Sequence, residues 1–411
     1  MKICIFEDFS VPGLSPVNYL RHTSELICGA LTLLEKIDSC LKANYETYFH
    51  CRKYLEEYCK EKFRTNKVNV LDDGSYMFLN SRVIFNKSNI RNFISKNVIP
   101  ENNSAWISGE TIIAFIISGD KPAALNEKLG SDDNLISITD IQAIDLKIIN
   151  VPGDEFKIIN YPSDLILFNE EELQNDLEHL AKKGKKGVYI SPKCKIHKSA
   201  VLDSSHGDIY IGRETIIEPF SYITGPCYIG EHTLVRAGSL IYGPVRIGDN
   251  CKVSGEITFS IIHSFVNKQH LGFLGHSYLC EWINLGAGTS TSNLKNNYAE
   301  ISLNIEEKPV NTNSIFLGSI IGDHTKTGIQ TMMNTGTLAG ISCNIYGAGY
   351  HRNLIKSFTW DNADNDSSIS YLIEKAVSTA KISMKRRNVD MSETYENLLR
   401  HINDIKENIS V

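Results

Sequence analysis

The sequence predicts an N-terminal α/β domain, then an all-β left-handed parallel β-helix, then a helical tail. Three observations carry this. Aliphatic residues recur every six positions from Ile211 to Val253. Strand and helix patterns without that period alternate before about residue 165. Two amphipathic helix patterns close the chain.

The six-residue register runs through Ile211, Ile217, Ile223, Ile229, Val235, Ile241, Ile247 and Val253 without a miss. With Ile, Val and Leu at roughly a quarter of the chain, eight chance hits in a row have odds on the order of one in 10⁵. Gly212, Gly230 and Gly248 each follow a register residue. This is a hexapeptide repeat: one short strand and a turn per hexad, with the aliphatic side chain inside and a small or polar residue at the corner. Three hexads make a triangular coil, and a coil covers its apolar face only by stacking on the next. The register also appears at Ile190, Ile196 and Leu202, and breaks over Asp203 to Tyr210, which reads as an extruded loop. It returns at Phe273, Leu279 and Leu285, then at Ile315, Ile321, Thr327, Met333, Ala339 and Ile345.

Upstream, Lys2 to Phe6, Tyr76 to Leu79, Ala105 to Ile107 and Ile112 to Ile117 read as strands. Ser24 to Leu41 reads as a helix, with Leu26, Ile27, Ala30, Leu33, Leu34 and Ile37 on one face. Asn169 to Lys182 reads as a helix buried through Leu173, Leu177 and Leu180, ended by the basic run 182–187, a solvated linker. In the tail, Asp361 to Ser368 reads as a hinge and Ile369 to Arg387 as a helix. Ser392 caps a last helix through Ile409, with Tyr395, Leu398, Leu399, Ile402 and Ile405 on one face. The expected division is an α/β domain over 1–168, a linker helix over 169–187, the β-helix over 188–360 and the tail over 361–411.

Composition narrows the class. Apolar content of 42% and charged content of 22% suit a globular protein. A net charge of −6 argues against a dedicated nucleic-acid binder. No apolar run is long enough to span a membrane, and Glu7 and Asp8 sit where a signal peptide would be apolar. Ten cysteines without a CxxC pair read as reduced thiols. A cytoplasmic location is expected.

Between 256 and 300 the repeat carries residues that a solenoid does not need: His263, His270, His276, Asn284, Gly286-Ala287-Gly288 and Asn293. A Gly-Ala-Gly corner admits a ligand close to the backbone. A nearby histidine supplies a base near neutral pH. That pairing suits attack of an amine on a thioester, with N–H groups receiving the growing oxyanion. For His270 alone, a solvent-facing wall histidine is the simpler reading; the linked glycines and asparagines shift the balance to function.

The run His270-Leu271-x-Phe273-Leu274-Gly275, followed by Asn284-Leu285-Gly286-Ala287-Gly288-Thr289 and Asn293, resembles the bifunctional GlmU family of glucosamine-1-phosphate N-acetyltransferases and N-acetylglucosamine-1-phosphate uridyltransferases. The resemblance implies a nucleotidyltransferase-like first domain, a homotrimer with sites between prisms, and acetyl-CoA and an amino sugar 1-phosphate as substrates. It makes His270 the general base and Asn293 the residue orienting the reacting group. Asn284 and Arg236 become sugar-phosphate contacts, and Ala287 with Gly288 the acetyl-CoA contact. Phe273 stands where the family has a Tyr. The family's phosphate-gripping Lys falls near Ser254-Gly255-Glu256, so Glu256 faces the substrate there and Lys268 is the candidate replacement cation.

In the N-terminal half, the first strand leads into Glu7 to Pro16, with one Gly and no basic residue before Arg21, the candidate nucleotide contact. Asp72 and Asp73 are candidate acids there. Asn80 stands where the family binds Mg²⁺ through Asp, and is a weaker ligand. Sugar-1-phosphate nucleotidyl transfer from a nucleoside triphosphate, giving UDP-N-acetylglucosamine, is thus a second expected activity, with Mg²⁺ implied and no metal-ligand set assigned. Two other readings stay open: a non-catalytic trimeric scaffold binding a sugar nucleotide, and a zinc carbonic anhydrase-like prism using His263, His270 and His276 across an interface.

Overall fold

The computed structural model describes residues 2–41, 45–86, 89–90, 103–129, 133–180, 187–305, 308–364 and 367–405. The chain divides into two compact units. The first holds residues 1–14, 20–26 and 31–160, and the second 15–19, 27–30 and 161–411.

The first unit is built on a six-stranded sheet. Its strands are β1 (Lys2–Phe6), β2 (Thr47–His50), β3 (Tyr76–Asn80), β4 (Ser104–Ser108), β5 (Thr111–Ile117) and β6 (Lys147–Asn150), in the order β2-β1-β3-β5-β4-β6. β2, β1 and β3 run parallel, so their carboxyl ends at His50, Phe6 and Asn80 align. The continuous apolar runs of β1, β3 and β5 match a sheet buried on both faces. Phe78 and Phe115 stack at 4.2 Å in its core.

The helix expected over 24–41 forms only over Leu33–Cys40, where Thr32 and Glu35 make a capping box. Upstream, the backbone donors go elsewhere. Ile27 N–H donates to the Tyr278 hydroxyl (3.1 Å), Gly29 N–H to Asn169 Oδ1 (3.1 Å) and Ala30 N–H to Asp176 Oδ2 (2.9 Å). Gly29 has φ +84, and a Cβ there would lie 2.7 Å from the Glu172 backbone. Tertiary partners have replaced the helical ones.

The second unit is the parallel β-helix. Ile211 pairs with Ile229 and Ile229 with Ile247, Ile217 pairs with Val235 and Val235 with Val253, and Ile223 pairs with Ile241. All eight register residues are at most 1% exposed. The first wall contains Leu234–Val235, Lys252–Val253 and Asn267–Lys268. The second contains Leu240–Tyr242, Glu256–Thr258 and Phe273–Gly275. The third is a nine-stranded sheet ending at Leu354–Ile355. The loop expected over 203–210 spans only 204–208, because Asp203 ends the strand Val201–Asp203 and Ile209 begins the strand Ile209–Ile211.

Past Val253 the register slips. Ile241 pairs with Ile257 and Ile257 with Leu274, so Leu274 is the inward residue and Phe273 faces out beside Glu256. The expectation of an inward Phe273 fails because the step from Leu274 to Leu279 is five residues, not six. Ile315 is 38% exposed, since residues 294–316 leave the wall and carry an antiparallel hairpin, Ser302–Ile305 with Lys308–Asn311. In the tail, Ser367–Ser370 pairs with Thr359–Asn362 as strand, so that helix begins at Ile373 and runs to Lys385. The last helix is Glu393–Ile405, and Tyr395 N–H donates to Ser392 Oγ at 3.1 Å. Its Tyr395 hydroxyl meets His324 Nε2 at 3.0 Å, which docks the tail on the prism. Helix Asn169–Leu180 forms as expected, whereas 181–186 lie outside the described residues. All ten cysteines are free and nine are buried. No described helix is long and apolar enough to cross a membrane.

Candidate active site

The edge where the first wall turns into the second gathers most of the candidate residues. From Val235 to Ile241 and from Lys268 to Leu274 the chain takes six steps, but from Val253 to Ile257 only four. The short turn at Ser254-Gly255 leaves a notch, with Arg236-Ala237 below it and His270-Leu271 above it. His270 is exposed, and Leu271 is 73% exposed. One coil up, Gly288 N–H donates to the Leu271 carbonyl at 3.0 Å, so Ala287 and Gly288 stack directly on the His270 turn. Glycine is required along this edge. Gly255, Gly272 and Gly288 have φ of +79, +134 and +76, and a Cβ on Gly272 would overlap the Thr289 carbonyl.

Glu256 and Phe273 are outward neighbours on the second wall, leading away from the notch. Asn284 lies on the first wall, bridged between Asn267 and Lys326. Arg236 is ion-paired to Glu218 at 3.3 Å and half exposed. Lys268 is different. It occupies the inward position above Val253, is 2% exposed, and its ammonium donates to the carbonyls of Ser254 (2.8 Å) and His270 (3.0 Å). Burial lowers it to about 8. It therefore holds the turn that carries His270 and does not face a substrate outside the prism.

Asn293 is brought to His276, not to His270. Its amide donates to His276 Nδ1 at 2.9 Å, at the far end of the second wall. His276 is sandwiched between Phe259 (4.7 Å) and Phe316 (5.0 Å), and burial lowers its ring to about 4. The Phe273 ring reaches this group, as a Cβ on Gly275 would lie 2.5 Å from it and 2.7 Å from the Asn293 amide nitrogen. His263 is buried and bonded to the Tyr278 hydroxyl at 2.7 Å. Among the described residues no three His, Cys, Asp or Glu side chains converge as a metal site.

In the α/β unit the carboxyl end of β1 carries two buried ion pairs. Glu7 meets Arg52 at 2.9 Å and Asp8 meets Arg82 at 2.7 Å. Burial alone would raise the Glu7 carboxyl, but Arg52 and its hydrogen bonds outweigh this and hold it at about 2. Arg21 is buried beside this pair, and its carbonyl accepts from Arg52 Nη2 at 3.1 Å. Asn80 donates to Asp8 and to the Ile112 carbonyl, both at 2.7 Å. Asp72 is tied to Lys2, Tyr48 and Tyr76. Asp8 is gripped by a bidentate guanidinium and Asn80 turns its amide N–H toward it, so this donor set does not fit Mg²⁺. A cavity of about 160 Å³ opens nearby, lined by His50, Lys53, Glu56, Asn69 and Asn134 among others. Sequence reading missed it because its walls come from separate, non-repeating segments.

Residues 3–185 match the family model described as sugar nucleotidyl transferase, and residues 208–243 match the bacterial transferase hexapeptide repeat. A bifunctional sugar-1-phosphate nucleotidylyltransferase/acetyltransferase of Sulfurisphaera tokodaii is 33% identical over 93 residues, 23% of each chain. The bifunctional protein GlmU of Methanocaldococcus jannaschii is 37% identical over 90 residues, 22% of each. The matched stretches thus span less than a quarter of these relatives. A solved UDP-N-acetylglucosamine acyltransferase of Francisella novicida is 14% identical, covering 53% of this chain and 89% of its own with a TM-score of 0.26.

Proposed function

We propose that the chain is a sugar-phosphate transferase whose β-helix moves an acetyl group from acetyl-CoA to the amine of a glucosamine-1-phosphate-type sugar. The carrying observation is the notch, with an exposed imidazole above it and a glycine-lined turn stacked on the turn that carries the imidazole. In the proposed reaction the amine nitrogen attacks the thioester carbonyl carbon. His270 removes the amine proton, the carbonyl π electrons move onto oxygen, and collapse expels the thiolate of CoA. The backbone N–H of Ala287 is suited to the oxyanion, since that of Gly288 is already given to the Leu271 carbonyl. Arg236 and Asn284 flank the place for the sugar phosphate. Lys268 acts as a positioning residue by tying the His270 carbonyl to the turn below. The pairing of Asn293 with His276 gives the opposite edge of the second wall its own polar group, and a homotrimer would supply that edge from a neighbouring subunit.

The test is acetyl transfer from acetyl-CoA to glucosamine-1-phosphate, followed by free thiol. His270→Ala should lower kcat by about 10²–10⁴-fold, the range for loss of a general base. Unchanged turnover in that variant would remove His270 from the chemistry.

A second reading concerns the α/β unit and is favoured by the cavity at the end of β2. In sheets of parallel strands, ligands bind outside the carboxyl ends. Nucleotidyl transfer there would join a sugar 1-phosphate to a nucleotide with release of pyrophosphate. Pyrophosphate release from UTP and N-acetylglucosamine-1-phosphate tests it. The Asp8 carboxylate at the strand ends is already engaged by Arg82 and is not open to Mg²⁺.

A further inference from the structure

We infer that the outer face of the first wall, together with the end of helix Ile373–Lys385, forms a phosphate-binding site built from Lys252, Arg387, Arg386 and Asn267. The wall supplies a column of outward residues. Lys252 pairs in register with Asn267, Asn267 bridges to Asn284, and Asn284 bridges to Lys326. Their neighbours Val253, Lys268, Leu285 and Thr327 are buried, so alternation turns the column outward. Across from it, Arg387 Nη2 donates to Asn267 Oδ1 at 2.6 Å, bringing a guanidinium from the tail onto the rung beside Lys252. Arg236 lies one coil below, its N–H bonded to the Val253 carbonyl.

These cations are close enough to oppose one another's charge. Burial first, then Arg387, Arg386 and Arg236, lower the Lys252 ammonium, and burial and Arg386 lower the Arg387 guanidinium. Like charges gathered this way raise the free energy of the unliganded face, and an anion relieves it. The protein relieves it only in part. Arg236 is paired with Glu218, and Lys385 with Asp390 at 2.7 Å. Among the described residues Lys252, Arg386 and Arg387 have no carboxylate within ion-pair distance. Two forked guanidinium groups and a lysine suit the oxygens of a phosphate ester. The amide of Asn267, half committed to Arg387, keeps its N–H₂ donors for the same anion.

The face runs directly into the notch below His270, so this inference rests on the transferase reading for its choice of ligands. Two sources of phosphate fit: the sugar 1-phosphate and the phosphates of CoA. Titration calorimetry on the full chain with glucosamine-1-phosphate, CoA and 3′-dephospho-CoA separates them. Lys252→Gln and Arg387→Gln should each weaken binding about 5–50-fold, the loss of a charge-assisted hydrogen bond. Lys252→Arg should stay within about threefold of the wild type. A loss confined to glucosamine-1-phosphate assigns the sugar phosphate. A loss for CoA that dephospho-CoA does not share assigns the 3′-phosphate, and an equal loss for both assigns the diphosphate. Unchanged affinities in both Gln variants, or no binding of any of the three by the wild type, would overturn the site. A purely structural role for Arg387 would lower the melting temperature without changing affinity. If acetyl transfer fails in the wild type while these affinities still fall in the variants, the transferase reading fails and the phosphate site stands.

Discussion

At the end of β1 in the α/β unit, Glu7, Arg52, Asp8 and Arg82 are all buried and paired across long stretches of sequence. In the β-helix, the inward register from Ile211 to Val253 is aliphatic throughout, and a charged residue enters it at Lys268. The α/β unit places its charges where parallel strands end and resolves them as ion pairs. The prism excludes charge from its interior until the turn that presents His270, and there admits a lysine bonded only to backbone carbonyls. At the end of β1 a buried charge is held by its partner, whereas the buried charge of Lys268 holds a loop.

The largest expected effect tests the first half of that contrast. Glu7→Ala leaves the Arg52 guanidinium buried without a counter-charge, which should cost about 3–5 kcal/mol in urea unfolding. A loss below about 1 kcal/mol would mean that the pair does not support this unit. The next concerns Lys268, whose ammonium sits at about 8 in the folded chain against about 10.4 when unfolded. Between these values the unfolded chain binds more protons, so stability should rise with pH over that window and be lower below pH 8. Lys326, also lowered to about 8 by burial, contributes to the same rise. Lys268→Met should shrink the rise by about 1–3 kcal/mol, leaving the Lys326 share. A rise of the same size in both proteins would show that Lys268 reaches solvent. The smallest effect belongs to an exposed pair, Arg213 with Glu231 at 3.2 Å. Arg213→Ala should change stability by less than about 0.5 kcal/mol, and a larger loss would blur the distinction between buried and surface charge.

The site was legible where it follows the repeat. His270, Ala287 and Gly288 lie on one edge because a coil returns to the same corner at nearly constant intervals. The slip after Val253 was not legible in detail. Steps of four residues from Val253 to Ile257 and five from Ile257 to Ile262 put Lys268 where the pattern calls for an aliphatic residue, and a five-residue step from Leu274 to Leu279 turns Phe273 out. Nor was the bond between Asn293 and His276, since the residues meet only after a coil is complete. The tail's reach to Asn267 joins residues 120 positions apart and leaves no local trace.

By itself, the sequence determined the prism, its inward residues from Ile211 to Val253 and the glycine edge, because each depends on a short period and on local backbone conformation. Only the tertiary structure decided which charges are paired, which way Lys268 points, and that the face beside the notch collects unpaired cations. Those outcomes depend on groups far apart in the chain arriving within a few ångströms of one another, and electrostatic energy depends on that distance and on burial.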